Sequence, residues 1–75
     1  MKQFNSELEE FIPRGNGYNY LVVMCDTFDY DDYPSYFNIE KEAFDYKELN
    51  HGNNMQKCMD IINIKTREVL WGVSK

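Results

Sequence analysis

A chain of 75 residues with a formal charge of −5 and 16% aromatic side chains makes a single domain, 1–75, and buries only about two thirds of its unfolded surface. The acids are unevenly spread: Asp26, Asp29, Asp31, Asp32, Glu40, Glu42, Asp45 and Glu48 face only Lys41 and Lys47 between residues 26 and 48, while the rest of the chain is nearly balanced. This asymmetry argues against direct binding to nucleic-acid phosphates or anionic lipid, which attract clustered Lys and Arg, and favours a basic partner.

Ser6 and Glu9 have capping-box spacing, and Leu8, Phe11 and Ile12 offer a short apolar side, so one or two helical turns are predicted over 6–11, stopped by Pro13. Arg14, Gly15, Asn16 and Gly17 then form a loop, since the glycines weaken both helix and strand. From Tyr18 to Cys25 the chain alternates with apolar residues on both sides: Tyr18, Tyr20, Val22 and Met24 against Leu21, Val23 and Cys25. An inner strand covered on both faces is expected.

Next comes D-T-F-D-Y-D-D-Y-P-S-Y-F, residues 26–37, in which four aspartates are interleaved with Phe28, Tyr30, Tyr33, Tyr36 and Phe37. A disordered acidic segment would lack the rings, and a buried strand would lack the unpaired carboxylates; an ordered, exposed, anionic aromatic surface satisfies both constraints. Tyr33 to Phe37 reads as a second strand, placed at a sheet edge or strand start by Pro34, with Tyr33 and Phe37 on one face and Tyr36 on the other.

Asn38 is the expected N-cap of a helix running to about Asn50, with Glu40 and Glu42 suiting the positive end of its dipole. Ile39, Ala43 and Tyr46 form its inner stripe with Leu49 beside them and Phe44 on the flank, and His51-Gly52 is the exit. Met55 to Ile64 and Val69 to Val73 are the third and fourth strands, joined as a hairpin through Lys65, Thr66 and Arg67. Strict alternation sets Met55, Met59 and Ile61 against Cys58, Ile62 and Ile64, and places Trp71 with Val69 and Val73.

The order ββαββ predicts an α+β fold, a small mostly antiparallel sheet with one helix on a face and a short N-terminal helical turn. The second sheet face then needs cover, either from that turn or from a twin subunit in a homodimer. Cys25 and Cys58 read as reduced core thiols of a cytoplasmic protein. The longest apolar run, Tyr20 to Cys25, falls far short of the roughly 20 residues that cross a bilayer.

Catalytic chemistry finds little support. His51 is the only histidine and lies in H-G-N-N beside no nucleophile. With Cys25 and Cys58 it falls short of a zinc set, and the aspartates lack the glycine and distal glutamate of a calcium loop. Gly15-Asn16-Gly17 has no following Lys-Ser and precedes a strand, so it reads as a turn rather than a phosphate loop. No enzyme activity, metal or cofactor is expected.

Residues 20–55, in which V-x-C-D-T-F-D-x-x-D-Y-P precedes the helix and an N-M-Q turn, resemble short proteins encoded by bacteriophages and prophages. The resemblance implies a context in which tiny acidic proteins inhibit host machinery, anti-CRISPR proteins and DNA mimics among them. The expected function is therefore a non-enzymatic, phage-type inhibitor acting in the host cytosol, with Asp26, Asp29, Tyr30, Asp31, Asp32, Tyr33, Tyr36, Glu40, Glu42 and Asp45 occupying a basic nucleic-acid-binding groove on a host protein. A dimeric protein that sequesters a nucleotide through aromatics and Arg14 or Arg67, and a structural accessory subunit, are the alternatives.

Overall fold

A computed structural model of the chain describes residues 10–53 and 55–72. A helical turn α1 (Phe11–Arg14) leads into β1 (Tyr20–Asp26), β2 (Asp32–Phe37), α2 (Glu40–Asn50), β3 (Gln56–Asn63) and β4 (Glu68–Gly72). The strands form one antiparallel sheet in the order β2-β1-β3-β4. This is the expected α+β fold. β2 and β3 flank β1 and run parallel to each other, so α2, which joins them, must pass across the sheet.

β1 lies inside the sheet, and its two apolar sides supply two separate cores. On one face Leu21 and Val23 pack with Ile12, Ile62 and Ile64; on the other Val22 and Met24 pack with Ala43, Cys58 and Ile61. Ala43 is fully buried, and its single methyl lets the helix backbone come close to the sheet. β2, with Pro34 in it, is an edge strand, where a missing N–H can face away from the ladder.

On the α1 face the N-terminal turn supplies cover from within the chain. Phe11 packs beside buried Ile12, and the Tyr36 hydroxyl donates to the Phe11 carbonyl at 2.6 Å. The capping pair Ser6 and Glu9 lies outside the described residues, but Pro13 does not stop the helical turn. It sits inside it, at a first-turn position where no intrahelical N–H bond is lost.

Three further expectations are corrected. Asn38 is not the N-cap: its carbonyl accepts the Asn19 side chain, and extended Ile39 gives its own carbonyl to the Glu42 and Ala43 amides. Outside the helical register, Ile39 is 55% exposed rather than part of the stripe. Leu49, 72% exposed, is also off it, because at 100° per residue the positions aligned with Ala43 and Tyr46 are 47 and 50. Lys47 takes that place, and only 15% of its side chain is exposed. Its ammonium lies 4.7 Å from the Trp71 ring centre and 2.7 Å from Glu48, so the stem is buried and the charge reaches the rim.

Strict alternation in β3 and β4 also fails. Val23 pairs with Asp60 but Met24 with Cys58, leaving Met59 as an extra residue; Ile61 pairs with Trp71 but Ile62 with Val69, leaving Leu70 extra. These bulges put Cys58 with Ile61 and move Met59 to the α1 face with Ile62 and Ile64. Trp71 and Leu70 join the α2 face, while Val69 packs on the other.

Candidate partner-binding surface

The acidic segment is the hairpin joining β1 to β2, and its carboxylates help to build it. The Asp26 N–H donates to the Asp31 carbonyl at 2.9 Å, and the Tyr30 N–H to the Asp26 carbonyl at 2.7 Å. The Asp26 carboxylate accepts the Phe28 N–H at 2.7 Å, and the Asp29 carboxylate accepts the Asp31 N–H at 3.0 Å. Each is an Asx turn, in which a short side chain replaces a backbone acceptor. Tyr30 adopts φ 63°, and the Thr27 N–H donates to the Met55 carbonyl at 2.7 Å, tying the tip to the start of β3.

This framework leaves Phe28 and Tyr30 at the tip, 76% and 77% exposed. Tyr33 stands on the α2 face of β2 with its phenol among carboxylates. Partial desolvation, and then Asp29, Asp26 and Asp31, raise its pKa above the ordinary tyrosine value, with Asp29 also hydrogen-bonded to it. Asp29 thus reaches the Tyr33 phenol, Asp26 and Asp31 lie near enough to act on it electrostatically, and Phe28 and Tyr30 are exposed on the same hairpin.

The remaining sequence-predicted residues do not share this patch. By alternation along β2, Asp32 points to the α1 face, where it and Lys57 act in opposite senses on Cys25: burial first, then Asp32, push that thiol up. Tyr36 is spent internally. Its ring is half-buried against Tyr18 at 5.7 Å, and its hydroxyl is bonded to Phe11. Glu40 and Glu42 open α2, which follows the end of β2 remote from the tip, so they lie at the opposite end of the sheet. Asp45 is paired with Lys41 at 2.7 Å, and the pairing raises the lysine's pKa.

Two contributors stand outside the residues expected to bind a partner: Phe28, which the sequence placed in the exposed aromatic run without a binding role, and Met55. Met55 is 56% exposed, at φ 60°, beside the tip it anchors. Phe28 carried a legible signal, since it sits two residues after an Asx-forming aspartate, in a turn whose side chains project outward; Met55 carried none. Among the described residues, no group of three His, Cys, Asp or Glu side chains is placed to hold a metal ion. No helix among them is long and apolar enough to cross a membrane.

His51 and Cys58, the residues nearest to nucleophile chemistry, are structural. The Cys58 N–H donates to His51 Nδ1 at 2.9 Å, and the imidazole meets the Trp71 ring edge-on, closing the α2 exit onto β3. Cys58 is fully buried, and burial pushes its thiol up to about 12. An acid with a raised folded pKa stabilises the fold below its unfolded value and loses that advantage above it. Stability is therefore expected to fall between pH 9.0 and about 12, as the unfolded thiol ionises and the folded one does not. The decline from this single proton approaches about 1.4 kcal/mol per pH unit. Chemical denaturation across that range checks it, with the Cys58→Ala variant expected to lose this component of the slope.

Comparison with protein-family models, curated proteins and solved structures finds no match to this chain.

Proposed function

We propose that the protein is a non-enzymatic inhibitor of the phage type that docks the β1–β2 hairpin tip into a basic, nucleic-acid-binding groove of a host protein in the cytoplasm. The observation that carries this reading is that Asp26, Asp29 and Asp31 sit in one hydrogen-bonded hairpin tip with Phe28 and Tyr30 exposed on it, and all three act electrostatically on Tyr33. The carboxylates stand where phosphates would, accepting charge-assisted hydrogen bonds from Arg and Lys. The rings add desolvated contact area and stacking surfaces for guanidinium planes. Asx turns hold this arrangement before any partner arrives, so less ordering is lost on binding.

Isosteric neutralisation tests the reading without dismantling the hairpin, because an asparagine carbonyl still accepts the amides of Phe28 and Asp31. Capture from bacterial lysate with the wild type and the Asp26→Asn/Asp29→Asn/Asp31→Asn variant, at salt near about 0.05 M and about 0.5 M, is expected to yield a basic protein. The wild type should hold it at low salt and release it at high salt, where the screening length falls below about 5 Å. The variant should lose it at both, with affinity for the purified target reduced by about 100-fold or more. Equal capture by the two forms would refute the mechanism.

A further inference from the structure

At the end of the sheet remote from the acidic tip, a groove of about 610 Å³ opens between the α1–β1 turn and the β3–β4 hairpin. Ile12 and Ile64 form its apolar base, Asn16 and Tyr18 line one side, and Lys65 and Arg67 line the other. No carboxylate is among its described lining residues. The volume lies within the range of about 300–1,000 Å³ typical of small-molecule sites.

Two features organise this groove. Tyr18 is 43% exposed, with its ring backed by Tyr36, which fixes an aromatic plane. Arg67 is held by its own hairpin: its N–H donates to the Asn63 carbonyl at 2.7 Å and its Nη1 to the Ile64 carbonyl at 3.0 Å. One guanidinium N–H bond is thus used for positioning, and among the described residues the rest of the donor fork meets no side-chain acceptor. Arg67 also adopts φ 64°, where glycine or asparagine would be less strained, so the hairpin keeps a long cation at a position its backbone does not favour. The Gly15, Asn16 and Tyr18 amides donate to the carbonyls of Ile12, Pro13 and Gly15, so recognition here falls to side chains rather than to a backbone phosphate cradle.

We propose that this groove binds a mononucleotide, its base stacked against Tyr18 and its phosphate paired with Lys65 and Arg67. The site lies within one chain and needs no second copy. It is independent of the acidic tip, which sits at the opposite end of the sheet and would repel the same ligand.

Titration calorimetry with AMP, GMP and UMP, alongside adenosine and inorganic phosphate as partial ligands, tests it. At least one nucleotide is expected to bind about tenfold or more tightly than phosphate and than adenosine, since only the nucleotide engages both sides of the groove. Arg67→Gly suits the local backbone, so it should keep or raise the thermal midpoint while weakening the nucleotide about tenfold or more. Lys65→Gln and Tyr18→Ala should each weaken it, and the triple asparagine tip variant should bind it as the wild type does. Absence of binding by all three nucleotides, wild-type affinity in Arg67→Gly, or phosphate binding as tightly as the nucleotides would overturn the proposal.

Discussion

Gly15→Ala is expected to destabilise the protein by about 2–4 kcal/mol, a large share of the roughly 4–11 kcal/mol available to a chain of this length. Gly15 is buried at φ −99°, so its backbone conformation is open to alanine, but its Cα faces the Tyr36 ring. A methyl group there would collide with the Cε1 and Cδ1 atoms of that ring. Tyr36 would have to leave, giving up the 2.6 Å bond to Phe11 and the packing against Tyr18 that hold α1 to the sheet. Thermal denaturation reads the effect directly, at about 4–8 °C per kcal/mol for a domain of this size. Tyr36→Phe, which removes only the hydroxyl, should cost about 1 kcal/mol. In a double-mutant cycle, Gly15→Ala should cost far less in a Tyr36→Ala background, because the clash has no second partner there. An equal cost in both backgrounds would mean that the close approach is not the cause.

Ile61→Ala is the second large effect, with an expected loss of about 2–5 kcal/mol. Ile61 is fully buried, lies between Val22 and Trp71 in the sheet, and packs in the cluster closed by Ala43 and Cys58. The sheet divides the interior into two small cores, and each has few neighbours able to fill a cavity. β3 is held in register by bulges against both neighbours, which further limits collapse of the backbone into the space. Urea denaturation should show the midpoint falling steeply with little change in slope, whereas Ile61→Val should cost only about 1 kcal/mol. A small effect of the alanine variant would show that α2 can settle onto the sheet, and would place the rigidity elsewhere.

The candidate surface was only partly legible. The interleaving of aspartates and aromatic residues over 26–37 marked an ordered, exposed hairpin, because unpaired carboxylates cannot enter a core and rings are wasted on a disordered chain. Which acids stand together was not legible, since that depends on which strand face each occupies and at which end of the sheet. Asp32 and Tyr36 turn to the α1 face, Glu40 and Glu42 sit at the opposite end, and Asp45 meets Lys41 one helical turn away. Phe28 and Met55 enter through the geometry of the turn.

By itself, the sequence determined the order of elements, the inner place of β1 and the edge place of β2, because apolar periodicity and the missing proline N–H act locally. Only the tertiary structure decided the two bulges that reassign Cys58, Met59 and Trp71 between faces, the seat of Lys47 over Trp71, and the fit of Tyr36 against Gly15. Register between strands is a property of pairs, set by how two chains of side chains pack together. One extra residue in a strand turns the side chains beyond it to the other face, and nothing in that strand's own alternation announces the change.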